Sequence, residues 1–191
     1  MILNPNSSTD MTKFAFNFVE YLCKFSLNQP VFLCVGNSNV VADIFGPMCG
    51  YILKNKYGIN LVYGDLKNNI TSSNLYSVYD EIKAKYPDRP VCVIDAALVD
   101  VIDVDTVTLT NYGCIPSCFS SSKLIGNMAI LGNINVLGLN KLMFLKTVKF
   151  DMVTSMANFV CEGIFRGLKI AKTIKSSSNK NRCINGCICG V

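Results

Sequence analysis

A single α/β domain, with a mostly parallel sheet carrying helices on both faces, is what the sequence predicts, and three observations predict it. Short apolar runs alternate with stretches whose apolar residues recur every three or four positions, which reads as strand and helix in turn. One run, VCVIDAAL at 91–98, is apolar almost throughout, the pattern of a strand buried on both faces. At 191 residues, 50% of them hydrophobic, the chain can bury one full core and is close to ordinary domain size.

The first ten residues are polar and are expected to be flexible. Phe14, Phe18, Leu22 and Phe25 then recur at helical spacing and mark an amphipathic opening helix. VFLCVG at 31–36 reads as a strand ending in glycine. After a polar loop, the segment 46–57 reads as a helix, since Pro47 suits a first helical turn and Gly58 the position just past an end. NLVYGDL at 60–66 is a second short strand. Leu75, Tyr79, Ile82 and Tyr86 place a helix over 72–86, and Pro87 and Pro90 break the chain after it. Beyond the strand at 91–98, alternation around 104–110 and the run GNMAILGNINVLG at 126–138 predict two further strands. Phe150, Val153, Ala157, Val160, Ile164 and Leu168 line one face of a long closing helix. The polar, then Cys-rich stretch 176–191 reads as a tail, so the domain is expected to occupy 11–175.

Composition excludes several function classes. Mean hydropathy is high at +0.34, yet Asp, Lys, Asn or Gly interrupts every apolar stretch before the roughly 18 residues a spanning helix needs. No membrane association is expected. The opening MILNPNSSTDMTK lacks a basic region followed by an apolar one, so a cytoplasmic location is expected. Of the ten cysteines, Cys34 and Cys92 fall inside apolar runs and read as reduced core residues. The net charge of +5 is spread along the chain and does not demand nucleic acid; none is expected as partner. Self-association into a homo-oligomer is left open. The chain has no histidine, which removes Ser-His-Asp and Cys-His machinery and imidazole metal ligands. Chemistry must therefore run on carboxylates, thiols, lysines, hydroxyls or backbone amides.

Ligands of open parallel sheets bind beyond the carboxyl ends of the strands, and two acids fall at such places. Asp43 lies in the loop after the first strand, in GNSNVVADIFGP, and Asp95 closes the apolar run VCVID. An acid after such a run must face a cleft, an amide cluster or a second ionisable group. If the two face each other, their like charges favour a shared proton and leave one acid and one base together, as water activation without histidine requires. The bland reading is that Asp43 caps the next helix and Asp95 satisfies loop amides. Asn37 and Asn39 could orient substrate or donate to an oxyanion, or could simply tolerate unusual backbone angles in a tight loop. Gly46 with Pro47 fixes a helix start and could aim backbone amides at the cleft.

The segments GNSNVVADIFGP and VIDAAL together resemble the YyaC spore protease family and, more distantly, the germination protease of spore-forming bacteria and the hydrogenase-maturation endopeptidases. The resemblance covers roughly residues 30–140, including the TNYGCIP loop and the GNMAILGNINV strand. It implies a three-layer α/β/α sandwich of phosphorylase/hydrolase-like type with a twisted central sheet. It also implies a peptide or protein substrate, a forespore or spore-core location, and a pair of essential acids corresponding to Asp43 and Asp95. The maturation endopeptidases hold a metal with a histidine and acidic residues, and this chain offers no histidine, so neither metal nor other cofactor is expected. The loop NYGCIPSCFSSSKL keeps Gly113, placed with Asn37, Asn39 and Gly46 among the substrate-binding residues, but its Cys114, Cys118 and serine run depart from the glycine-rich version of those relatives.

The sequence thus points to a sporulation-associated, aspartate-dependent and metal-independent endopeptidase. The alternative is a catalytically silent protein using the same fold as a binding or assembly module. Cys183, Cys187 and Cys189 match no strong zinc spacing. Lys169, Lys172 and Lys175 could approach an anionic surface or form a solvated helix face.

Overall fold

A computed structural model describes residues 1–115, 124–136 and 148–186, with side chains through residue 178. Its strands are β1 (Ile2–Leu3), β2 (Val31–Cys34), β3 (Val62–Tyr63), β4 (Val91–Val99), β5 (Thr106–Thr110) and β6 (Met128–Val136). Its helices are α1 (Ser8–Cys23), α2 (Phe45–Asn55), α3 (Leu75–Lys85) and α4 (Phe150–Gly186), with short 3-10 turns at Val41–Asp43 and Val101–Asp103. The six strands form one sheet in the order β1-β5-β6-β4-β2-β3. β6, β4, β2 and β3 run parallel, β5 is antiparallel to β6, and β1 is antiparallel to β5.

Alternate residues of the central strands feed opposite cores, because successive side chains leave a strand on opposite faces. Phe32, Cys34, Cys92 and Ile94 pack with Phe14 and Phe18 of α1, Phe45 of α2 and Val160 of α4. Val31, Leu33, Val91 and Val93 instead meet Leu75 and Ile82 of α3. The result is the expected three-layer α/β/α sandwich. Cys34 and Cys92 are fully buried, and burial pushes both thiols upward. Among the described residues no helix is long and apolar enough to cross a membrane.

Both ends of the domain differ from expectation. Residues 1–10 are not a loose arm: Ile2 and Leu3 pair with Thr108 and Val107 of β5, and Leu3 is buried. The polar residues behind them cap α1, with the Asp10 amide donating to Ser7 Oγ at 3.2 Å and the Asn4 amide to Asp10 Oδ2 at 3.0 Å. Substituting Leu3→Ala is expected to lower stability by about 2–4 kcal/mol, as for other core leucines. An unchanged urea midpoint would show that β1 is not docked. At the other end α4 continues through 176–186, the stretch expected to be tail. No proline or glycine interrupts 168–185, and the Ser176, Ser177 and Ser178 hydroxyls donate back to the carbonyls of Thr173, Thr173 and Ile174. Cys187 and Cys189, the side chain of Cys183, and the loop residues 116–123 with Cys118 lie outside what is described.

Candidate functional site

β2 ends at Cys34, opposite Ile94, whereas β4 continues to Val99 with β6 as its partner from Asp95 onward. Asp95 therefore does not end its strand, as the sequence suggested; it sits in the middle of β4, at the level where β2 stops. The chain leaves β2 through Val35, whose amide donates to Ile94 O at 2.8 Å, and Gly36, whose φ of +138° suits glycine alone. A side chain there would also strike the Asp43 carbonyl, 2.1 Å from an ideal Cβ. The loop thus folds tightly back on itself, and the 3-10 turn carrying Asp43 lands beside β4.

Helix α2 holds that turn in place. Phe45 covers Gly132 of β6, and the backbone of Gly46 lies against the ends of β2 and β4. A Cβ on Gly46 would fall 2.0 Å from Val35 O and 2.8 Å from Ile94 O. This is the close approach that requires glycine, and Gly46 does not line the cleft. Pro47 falls in the first turn of α2 and Gly58 adopts φ +64° just past its end, both as expected. Gly46→Ala is expected to lift α2 from the sheet and cost about 1–3 kcal/mol, measurable by denaturant unfolding; a neutral result would contradict this packing.

Asp43 and Asp95 line one cleft of about 200 Å³, together with Val35, Gly36, Asn37, Thr71 and Ser72. Asp95 is 7% exposed. Its burial pushes its pKa up to about 7, against the pull of the Ala96 amide, which donates to Oδ1 at 2.8 Å, and with a further push from the Asp43 charge. Asp43 is half-buried; burial raises its pKa too, opposed by the Asn37 amide. The sequence-predicted pair is therefore brought together, and each carboxyl favours its protonated form more than a free one would.

The other predicted residues divide. Asn37 lines the cleft, but its Oδ1 accepts from the Asn39 amide at 3.0 Å, an Asx turn that shapes the loop. The unusual backbone angle belongs to Gly36, not to either asparagine. The Asn37 Nδ2 has no partner among the described residues and is free to donate to a ligand. Asn39 is exposed and does not line the cleft. Gly113 lies at the wrong end of the sheet. Because β5 runs antiparallel to β6, the chain leaves β5 beside Ala129, near the start of β6. Gly113 then packs against Ile125 O and Gly126 O, and Gly126 lies by Val91, about 13 Å along β4 from Asp95. Its missing side chain serves backbone packing.

A second loop, KNNITSSN at 67–74, was not singled out as a contributor. It follows β3, whose carboxyl end points to the same side as that of β2, so the rule that located Asp43 applies to it as well. It is tied to the first loop by Gly36 N to Ile70 O at 2.8 Å and by the Ser38–Asn69 pair, where Ser38 N donates to Asn69 Oδ1 and Asn69 Nδ2 to Ser38 Oγ. Asn74 accepts from the Thr71 amide and donates to Asn69 O. Asp65 anchors the loop base: burial raises its pKa, but the Lys54 ion pair at 2.5 Å and the amides of Asn68 and Lys67 outweigh this and hold it at about 2. Ser72 is exposed at the rim, and its hydroxyl has no partner among the described residues. No three Cys, Asp or Glu side chains among the described residues come together as a metal-binding group.

The model of a protein family described as "Protein of unknown function (DUF1256)" matches residues 3–163. The chain is also 26% identical over 137 residues to the "Uncharacterized protein YyaC" of Bacillus subtilis (strain 168), covering 70% of this chain and 67% of that protein. The expected kinship with YyaC is thereby met, at the level of a family without an assigned activity.

Proposed function

The chain belongs to the DUF1256 family, and from that premise we propose that it is an aspartate-dependent peptidase acting through Asp43 and Asp95. The observation that carries the reading is a buried acid, Asp95, whose pKa rises to about 7 in a cleft shared with a second carboxyl. Perturbed, mutually interacting acids in a cleft are what acid–base catalysis requires and what a purely structural ion seldom tolerates.

Asp95 is the more deeply buried of the two, so the shared proton resides mainly there near neutral pH. Asp43 is then the base. It takes a proton from water as the water oxygen bonds to the scissile carbonyl carbon, while Asp95 donates its proton toward the carbonyl oxygen. Collapse of the tetrahedral adduct returns the hydroxyl proton to Asp95 and breaks the C–N bond, and the departing nitrogen takes up the proton held by Asp43. Among the described residues, Asn37 Nδ2 and the Ser72 hydroxyl are free donors at the rim suited to the developing oxyanion. Past Ile94, no described strand pairs with β4 on the β2 side, and an extended peptide laid along that edge would run directly over Asp95. The distant likeness of GNSNVVADIFGP to the germination protease supports peptide bonds as the target and the cytoplasm of a sporulating cell as the setting.

The test is a mass-spectrometric search for new peptide termini after incubating sporulating-cell extract with wild-type protein, Asp43→Asn or Asp95→Asn, each with and without chelator. Cleavage by wild type alone, indifferent to chelator, is expected and would supply the substrate. Identical peptide maps for all three proteins would instead favour a non-catalytic binding module.

A further inference from the structure

At the opposite end of the sheet from the carboxylate cleft lies a larger groove of about 740 Å³. One wall is α4; the other is built from the segments that lead into β2, β3 and β4. Its floor includes Leu27, Ile59, Leu61 and Leu168, and its rim carries Arg89, Lys169, Lys172 and Lys175, with no carboxylate among the lining residues. The three lysines, spaced three apart on α4, are all exposed and share a face of the helix.

None of the four cations forms an ion pair among the described residues. The ion pairs among the described residues are Lys13–Asp10, Lys54–Asp65 and Arg166–Glu162, all made by other side chains. Arg89 donates to Gln29 O at 3.0 Å, Lys175 donates to Asn28 Oδ1 at 2.8 Å, and Lys169 sits 4.3 Å over the Phe165 ring. Lys172 has no partner among the described residues. Like charges gathered round an apolar trough repel one another and raise the local potential, so a ligand of opposite charge is favoured there.

We propose that this groove binds an acidic peptide segment that also carries apolar side chains, independently of the carboxylate cleft. The aliphatic floor suits apolar anchors, and the cationic rim suits Asp or Glu between them. Nucleic acid fits less well. Single strands need open aromatic faces on which bases stack, whereas Phe165 is covered by Lys169 and packs at 4.6 Å on Tyr57, whose hydroxyl is engaged by Glu162. A simple phosphate is a poor match as well, because the Arg89 fork is partly committed to a backbone carbonyl.

The probe is a fluorescent 15-residue peptide of Glu, Leu and Ala with leucines at helical spacing, titrated with the full chain by anisotropy. Competitors are the same peptide with Lys for Glu, a 15-nucleotide oligo-dT and inorganic phosphate. The acidic peptide is expected to bind and to weaken as salt rises from 50 to 200 mM. Lys169→Glu with Lys172→Glu is expected to weaken it at least tenfold, and the exposed pair Lys67→Glu with Lys83→Glu to leave it within twofold. Lys172→Gln, at an exposed position with no hydrogen bond or ion pair among the described residues, gives a smaller loss in the same direction and guards against misfolding of the double variant. No binding of the acidic peptide, equal losses in both double variants, or displacement by oligo-dT or phosphate at lower concentration than by unlabelled peptide would each overturn the proposal.

Discussion

Asp43→Asn and Asp95→Asn are each expected to lower kcat/KM for peptide cleavage by about 10²–10⁴-fold, the range for removing one general acid or base. The double variant is expected to be little worse than either single one, because the two groups act as a unit and either loss disables it. The pH profile follows from the same arrangement. Activity requires one proton on the pair; below the lower apparent pKa no base is left, and above the upper one no acid is left. Burial of Asp95, reinforced by the Asp43 charge, puts the upper limb near 7, and the lower limb is displaced upward from that of a free carboxylate because burial raises Asp43 as well. A bell centred in the mildly acidic range is the expected result. Either variant should lose one limb along with its rate. A flat profile between pH 5 and 8, or an Asn variant with undiminished cleavage, would remove the carboxylate pair from the mechanism.

Much of this site was legible because an acid inside VCVIDAAL has few innocent explanations. What the run could not reveal was where Asp95 sits in its strand. Strand length is set by partners: β6 matches β4 as far as Val136 opposite Val99, while Gly36 turns β2 away at Cys34. The misplacement of Gly113 has a similar origin. The alternating exposure of Thr106–Thr110 is the pattern of an antiparallel strand, so its loop leaves at the far end of the sheet. β1 was hidden because two residues carry no periodicity. The loop at 67–74 was hidden for a different reason: its asparagines and hydroxyls look like ordinary turn chemistry, and only the bonds from Asn69 to Ser38 and from Ile70 to Gly36 make it a wall of the cleft.

Asp95→Asn is also expected to stabilise the fold at neutral and alkaline pH, an effect independent of any substrate. The folded-state pKa of about 7 lies above the roughly 3.9 of an unperturbed aspartate, so the native state binds this proton more tightly than the unfolded chain does. Its favourable contribution is complete below about pH 4 and is lost as pH rises toward 7, by about 1.4 kcal/mol per unit and about 4 kcal/mol in all. Asp43 is shifted in the same direction and adds to the slope. The lowered acids Asp10, Asp65 and Glu162 act with the opposite sign, but their gain is largely complete by pH 5. With no histidine in the chain, few other groups change charge between pH 5 and 8, and the falling stability there belongs mainly to Asp95. Asparagine keeps an acceptor for the Ala96 amide and never ionises. Urea unfolding of wild type should therefore show stability declining from pH 5 to 7 and levelling above it. Asp95→Asn should be nearly flat and about 2 kcal/mol or more above wild type at pH 8. Such a gain, paired with lost cleavage, is the signature of a residue held in an unfavourable charge state for chemistry rather than for folding. Parallel curves for the two proteins would show that Asp95 stays ionised in the folded state, leaving the pair without the proton that the proposed mechanism needs.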